Sequence, residues 1–195
     1  MKSDIMSDRQ QARQRVFEII NAKSFARREV TLASGKKSDH YFDLKPTMFD
    51  PEGATLLAEL IAGRLEGIKA DFVGGLEMGA VPLISPISIL SLKNGRPIPG
   101  FFVRKTVKDH GTKKLIEGTG DLSGKSVVIV EDVTTTGQSA MQAVSALREA
   151  GAKIALVISI VDRQQGAVEL YKEAGIAFQS LFTSGDFLNP TRHPR

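Results

Sequence analysis

The residues best suited to chemistry are two adjacent carboxylates that directly precede a stretch rich in hydroxyl groups. The carboxylates and the residues that follow them are, in order, Glu131, Asp132, Val133, Thr134, Thr135, Thr136, Gly137, Gln138 and Ser139. Threonine and serine hydroxyls donate hydrogen bonds to phosphate oxygens, and glycine lets the backbone come close to a phosphate. Carboxylates accept hydrogen bonds from sugar hydroxyls or from the waters around Mg²⁺. The order of these groups therefore predicts a site for a ribose 5-phosphate.

A buried strand and a helix are needed to position this stretch. Residues 126–130 contain four consecutive β-branched apolar side chains, which is typical of a central parallel strand. Met141, Val144 and Leu147 have helical spacing after the stretch, so a helix begins there and its backbone N–H groups favour an anion. An ordinary junction in which threonines cap the helix is the alternative. Two carboxylates, three threonines, glycine and serine in this order make that alternative the poorer one.

The rest of the chain alternates between strand and helix patterns. Further strands are predicted at residues 29–32, 40–44, 72–73, 100–103, 154–161 and 177–182, and further helices at 9–23, 50–63, 79–92 and 168–174. This alternation predicts an α/β fold with a mostly parallel central sheet and flanking helices. We expect one domain, with a small N-terminal hood (residues 1–50), an α/β core (51–183) and a loose tail (184–195). Ligands of such sheets lie at the carboxyl ends of the strands.

Composition narrows the functional classes. The 195-residue chain has no cysteine, which excludes disulfides, thiolate metal sites and a cysteine nucleophile and suits the cytoplasm. It begins without an apolar leader and has no apolar stretch long enough to span a bilayer, so no membrane partner is expected. The net charge of +4 permits nucleic-acid binding, but with two Tyr and no Trp the chain has few stacking residues. Small phosphorylated substrates explain the charge equally well.

A cluster of cationic residues opens a polar segment, residues 105–120, which we interpret as a mobile functional loop. Its charged or protonatable members are Arg104, Lys105, Lys108 and His110. Cations on a flexible loop suit a pyrophosphate leaving group, whose negative charge grows as the bond breaks. Closing the loop would also exclude water from the reaction. A solvated run of charges is the alternative.

The stretch from Glu131 to Ser139 resembles the phosphoribosyl-pyrophosphate motif of type I phosphoribosyltransferases. That resemblance implies that the 5-phosphate binds residues 134–139, with Glu131 and Asp132 near the ribose hydroxyls. It also implies Mg²⁺ as cofactor, held through the substrate with the same two carboxylates nearby.

The cationic loop is similar to the R-K-x-x-K-x-H-G loop of orotate phosphoribosyltransferases. The resemblance implies that Lys105, Lys108 and His110 stabilise the leaving group with help from Arg104, and Asp132 completes the catalytic set. In that family the loop reaches into the neighbouring subunit's site, which implies a homodimer.

Two further segments are similar to the same family and point to the base. Residues 31–42 resemble its early segment, where the backbone near Tyr41 and Phe42 meets the orotate ring. Asp162-Arg163-Gln164 resembles its D-R-x motif, and Arg163 could fork onto the orotate carboxylate. A surface ion pair is the alternative for Arg163. The resemblance also implies an orotate contact for Thr135.

The sequence departs from the family at two positions. Ala33 stands where the family often has lysine, and Met78-Gly79 stands where it has a Tyr-Lys pair, with Glu77 nearby. Both lysines belong to donor contacts, so the contact set is incomplete. The resemblance implies transfer of phosphoribose to orotate, giving orotidine 5′-monophosphate in pyrimidine (UMP) biosynthesis. The alternatives are a phosphoribosyltransferase for another base and a nucleic-acid-binding regulator that senses phosphoribosyl pyrophosphate.

Overall fold

The structure, a computed structural model, describes residues 2–31, 37–106 and 114–189, without the side chains of residues 2–7 and 31. The elements of the hood segment are α1 (Lys2–Lys23), β1 (Phe25–Ala26), β2 (Val30–Thr31), β3 (Lys37–Ser38), β4 (Tyr41–Phe42) and α2 (Lys45–Met48). β1 pairs with β4 and β2 with β3, both antiparallel. The two strand segments predicted here therefore do not pair with each other. Each has a two-residue partner too short to give a periodic signal.

The remaining elements form the α/β core. They are α3 (Pro51–Arg64), β5 (Phe72–Gly74), α4 (Val81–Lys93), β6 (Phe102–Val103), β7 (Ile116–Glu117), β8 (Ser126–Thr134), α5 (Gln138–Glu149), β9 (Lys153–Asp162), α6 (Ala167–Glu173), β10 (Phe178–Thr183) and α7 (Ser184–Leu188). The central sheet has the order β10-β9-β8-β5, and each neighbouring pair is parallel. The predicted α/β class with a parallel sheet and flanking helices is confirmed.

Side chains of β8 point alternately to the two faces of the sheet, as strand geometry requires. Val128 and Val130 belong to an apolar cluster that also contains residues of α1, α3 and α4. Val127 and Ile129 belong to a second cluster with residues of α5 and α6. Helices therefore cover both faces of the sheet. A ligand can approach this central strand at its carboxyl end.

The start of α3 shows how local sequence determines where one of these helices begins. Asp50 has extended backbone and accepts a hydrogen bond from Gly53 N at 2.9 Å, while Pro51 occupies the first turn. This is the N-cap that the residues Asp50, Pro51 and Glu52 indicate.

No helix in the described part of the chain has the length and apolar character needed to cross a membrane.

Two boundaries differ from the predictions. β8 continues four residues past its predicted end at Val130, because its pairing with β9 extends to Thr134 opposite Asp162. Glu131 and Asp132 therefore lie within the strand. Part of the predicted loop, Ile116–Glu117, forms β7 and pairs with β6, whereas residues 107–113 lie outside the described residues.

The tail is not loose at its beginning. Residues predicted to be loosely held from Ser184 onward begin with α7, where Thr183 and Asp186 form a reciprocal capping box. Phe187 is buried against Phe17 and Phe42, so packing against the hood fixes this helix. Residues 190–195 lie outside the described part.

Candidate active site

A cavity of about 230 Å³ opens at the carboxyl end of β8. Charged and polar side chains that line it are Lys45, Glu77, Lys105, Glu131, Asp132 and Ser139. The sheet brings Glu131 and Asp132 to this edge, whereas Lys45 comes from the hood and Lys105 from the end of β6. A larger cavity of about 500 Å³ lies between α1, α3 and α4, and none of the predicted site residues lines it.

Glu131 forms the buried floor of the site. Its side chain is 7% exposed and accepts a hydrogen bond from Thr134 Oγ1 at 2.8 Å. Burial raises the pKa of Glu131 to about 7, which the Thr134 hydrogen bond partly opposes. Because the Thr134 side chain is also buried, its hydroxyl interacts with Glu131. This differs from the predicted role of that hydroxyl as a phosphate donor.

Asp132 forms a wall of the cavity and is half-buried. Its Oδ1 accepts a hydrogen bond from Val133 N at 2.8 Å. Burial raises the pKa of Asp132, and the Val133 hydrogen bond and the charge of Lys45 act in the opposite direction. A Cβ placed on Gly79 would lie 2.5 Å from Asp132 Oδ1, so glycine at position 79 makes room for this carboxylate.

The predicted phosphate loop lies between β8 and α5. Thr135 is half-buried, whereas Thr136, Gln138 and Ser139 are exposed. Gly137 has a φ of 83°, and a Cβ there would lie 3.0 Å from Tyr171 Cζ, so both its conformation and its surroundings require glycine. In the described residues no side chain caps α5, which leaves its N-terminal N–H groups available to an anion.

The cationic cluster is divided in the structure. Lys105 is exposed, lines the cavity, and its backbone N donates to Glu77 Oε1 at 3.1 Å. Arg104 is half-buried and pairs through Nε with Glu117 Oε1 at 3.1 Å, at the base of the β6–β7 hairpin. Lys108 and His110 lie outside the described residues. The structure thus brings Lys105, but not the guanidinium of Arg104, into the lining of the cavity.

Arg163 links the core to the hood. Its guanidinium donates through NH2 to Ser38 Oγ at 2.8 Å and to the His40 carbonyl at 3.3 Å. The side chain is 6% exposed, so the alternative of a surface ion pair is wrong. Burial lowers the pKa of Arg163, partly offset by the charge of Asp39. Among the described residues, Arg163 Nε is buried and has no hydrogen-bond partner, so the guanidinium is not fully satisfied by the protein.

The two predicted aromatic residues have different surroundings. Phe42 is buried, and its ring centroid lies 5.0 Å from that of Phe25 and 5.2 Å from that of Phe187. Tyr41 is half-buried, with the Arg28 guanidinium 5.6 Å from its ring centroid. The ring of Phe42 therefore belongs to the apolar core, and its predicted orotate contact is one for the backbone.

Two residues at the site were missed from the sequence. Lys45 lies in the hood, far along the chain from the carboxylates, and no local pattern connects it to them. Tyr171 has its hydroxyl 3.4 Å from the carbonyl of Gly137, beneath the predicted phosphate loop. A tyrosine in an apolar helical stripe is a usable signal, because a buried hydroxyl needs a polar partner.

A family model, curated relatives and solved structures all relate the chain to phosphoribosyltransferases. Residues 48–184 match the phosphoribosyl transferase domain family. The chain is 58% identical over 180 residues to an orotate phosphoribosyltransferase of Bradyrhizobium diazoefficiens, covering 91% of this chain and 96% of that relative. A crystal structure of Mycobacterium tuberculosis orotate phosphoribosyltransferase in complex with Fe(III) dicitrate has a TM-score of 0.79 at 35% identity, covering 90% and 98% of the two chains. A complex of the Mycobacterium tuberculosis enzyme with 5-phospho-α-D-ribosyl 1-diphosphate has a TM-score of 0.75 at 32% identity, with the same coverage.

Proposed function

The chain belongs to the orotate phosphoribosyltransferase family, and we propose that it transfers the 5-phosphoribosyl group of phosphoribosyl pyrophosphate to orotate. The products are orotidine 5′-monophosphate and pyrophosphate, in the synthesis of pyrimidine nucleotides. In this proposal the whole chain acts as one phosphoribosyltransferase domain in the cytoplasm, with residues 1–50 covering the base site of the core. The enzyme is a glycosyltransferase of the pentosyl class.

The buried guanidinium of Arg163 is the observation that supports orotate as the base. Arg163 follows β9 directly, and its backbone N donates to Thr134 O at 2.8 Å. Its side chain therefore starts beside the end of the strand that carries the acidic pair. A planar, permanently charged guanidinium suits a planar carboxylate. We assign Arg163, Thr135 and the backbone at Tyr41 and Phe42 to orotate.

Donor binding uses the loop and the acidic pair. We assign the 5-phosphate to Thr135, Thr136, Gly137, Gln138 and Ser139, where free N–H groups of α5 add to the hydroxyls. Asp132 faces the ribose hydroxyls from the cavity wall. Glu131 and Val133 also line this cavity, and the buried Thr134 supports Glu131 through its hydroxyl.

The reaction replaces one bond at C1 of the ribose with another. The bond between C1 and the pyrophosphate oxygen breaks, pyrophosphate leaves with the electron pair, and N1 of orotate bonds to C1 while its proton passes to solvent. Lys105, with Lys108 and His110 on the same loop, stabilises the leaving charge. Arg104 assists from the base of the hairpin, where Glu117 holds it.

The donor set at the cavity fits Mg²⁺ that is held mainly by substrate. In residues 2–31, 37–106 and 114–189, no cluster of three or more His, Cys, Asp or Glu could hold a metal ion. Glu131 and Asp132 offer oxygen ligands beside the cavity, which suits an ion that keeps waters and binds phosphates. When bound, Mg²⁺ neutralises the pyrophosphate and orients the donor.

We include a homodimer with a shared loop in the proposal. Ile89 and Leu92 share one face of α4 and are 58% and 66% exposed, and Phe49 is 66% exposed. Exposed large apolar side chains of this kind are usual at subunit interfaces. Analytical ultracentrifugation at micromolar concentration tests this part, and a monomer would exclude loop sharing.

Loss of orotate absorbance on mixing the protein with orotate, phosphoribosyl pyrophosphate and Mg²⁺ tests the activity. Matched reactions omit one component each, and others offer purine bases or uracil in place of orotate. We expect orotate consumption that needs all three components. Turnover of another base, with orotate untouched, would contradict the base assignment. Salt-sensitive nucleic-acid binding without any turnover would favour the regulator instead.

A further inference from the structure

Lys45 lies at the edge of the active-site cavity, although it belongs to the hood. It is the first residue of α2, and Thr47 in the same helix shares a buried 2.7 Å hydrogen bond with Ser24. The Lys45 Nζ is 2.7 Å from Asp43 Oδ1, and the same oxygen accepts a hydrogen bond from Lys45 N at 3.2 Å. The backbone is thus fixed, while the partly exposed ammonium remains free to change partners within the cavity.

The charges of the cavity call for a cation at this position. Glu77, Glu131 and Asp132 bring three carboxylates to its lining, whereas the described lining residues include two cations, Lys45 and Lys105. A pyrophosphate donor brings several further negative charges, which repel these carboxylates unless cations lie between. Lys45 already acts on Asp132: burial raises the pKa of that carboxyl, and the positive charge of Lys45 partly offsets the rise.

Position 79, which also lines the cavity, cannot supply that cation in the observed geometry. A Cβ on Gly79 would lie 2.5 Å from Asp132 Oδ1, so any side chain at position 79 would displace the carboxylate. Glycine at position 79 leaves room for the Asp132 carboxylate, and the lysine that balances its charge lies in the hood segment. Asp132 lies close to Gly79, and the positive charge comes from Lys45, another residue that lines the cavity.

We propose that Lys45 is a binding residue for the pyrophosphate end of the donor, an inference that rests on the proposed function. Lys45 leaves Asp43 when the donor enters and interacts with the pyrophosphate oxygens beside Lys105. The pyrophosphate end is favoured over the base because Lys45 shares its cavity with Lys105, whereas the base residue Arg163 does not line that cavity. The hydrogen bond to Asp43 raises the pKa of Lys45, so the ammonium is charged before the donor arrives.

Calorimetric titration with phosphoribosyl pyrophosphate and with pyrophosphate, each with Mg²⁺ and without orotate, tests the proposal on Lys45→Gln. We expect both ligands to bind roughly tenfold more weakly, which is the effect of losing one hydrogen bond to a charged group. Lys45→Arg should recover most of the affinity. Lys23→Gln is the matched control, because Lys23 also pairs with an aspartate, Asp50, and does not line the cavity.

Steady-state kinetics separate a donor role from a base role. The KM for phosphoribosyl pyrophosphate should rise in Lys45→Gln while the KM for orotate stays within about twofold, and thermal unfolding should match the wild type. Unchanged donor affinity, or a rise confined to the orotate KM, would overturn the proposal. Since the calorimetry needs no base, wild-type donor binding without orotate turnover would count against the proposed function alone.

Discussion

The Thr134 hydroxyl donates a 2.8 Å hydrogen bond to the buried carboxylate of Glu131, directly beneath the loop assigned to the donor phosphate. Tyr171 adds a third polar group, with its hydroxyl 3.4 Å from the carbonyl of Gly137. Burial raises the pKa of Tyr171, and the nearby charge of Glu131 raises it further. The floor of the site is therefore a buried polar network that connects β8, the phosphate loop and α6.

Replacing Tyr171 by Phe tests whether this network stabilises the loop. The ring and its 4.9 Å packing on Phe178 remain, while the hydroxyl is lost. We expect the free energy of unfolding in urea to fall by about 1 kcal/mol, the usual contribution of one hydrogen bond. The effect should be non-additive with Thr134→Val in a double-mutant cycle. Additive effects would show that the two hydroxyls act independently.

Glu131 should make the stability of the protein depend on pH. Its pKa is raised from 4.5 to about 7, so the carboxyl is neutral in the folded protein at pH values where the unfolded chain is ionised. The cost of ionising this buried carboxyl is therefore absent below about pH 4.5, grows as the pH rises from there to about 7, and is constant above that. Wild type should lose up to about 3 kcal/mol relative to Glu131→Gln between pH 4.5 and 8. Urea unfolding of the two proteins without ligand measures this difference, and a constant difference would contradict the assignment.

Arg163→Lys tests the base site, because lysine keeps the charge and removes the fork. We expect the KM for orotate to rise roughly tenfold or more, with donor affinity unchanged. Ser38→Ala is the matched comparison: it removes the 2.8 Å partner of the guanidinium but leaves the fork in place. A smaller effect is expected there. Equal effects on orotate and donor would show that Arg163 holds the hood in place rather than the base.

The sequence was sufficient for the features that depend on local pattern. Four consecutive apolar β-branched residues predict β8, and Asp50 with Pro51 predicts the start of α3. The adjacency of Glu131 and Asp132 to a hydroxyl-rich loop is itself local, so their place beside one cavity could be predicted, while their roles stay predictions. The resemblance of this stretch to a known motif then predicted the substrate, phosphoribosyl pyrophosphate.

Features that depend on distant partners could not be predicted in the same way. β8 extends to Thr134 because β9 pairs with it there, and pairing is not visible in a single strand's composition. Lys45 reaches the cavity because α2 packs against the core, 87 residues before Asp132 in the chain. The ring of Phe42 packs in the core because α7 covers it, whereas a polar tail suggested no packing at all.

Lys105→Ala tests the leaving-group role of the cationic loop. The substitution removes the ammonium but keeps the backbone hydrogen bond from Lys105 N to Glu77, so the base of the loop stays anchored. Because the charge acts mainly on negative charge that develops as the bond breaks, turnover should fall about 10²-fold while orotate affinity changes little.

Lys114→Ala is the control for this prediction, since Lys114 is exposed at the other end of the same loop and does not line the active-site cavity. Its kcat should stay near the wild-type value at low and at physiological salt. An equal fall in both variants would indicate that the loop acts through its overall charge, and unchanged turnover in Lys105→Ala would remove this lysine from the mechanism. A selective fall in kcat would place the ammonium of Lys105 against the departing pyrophosphate, because a purely ground-state contact changes KM instead.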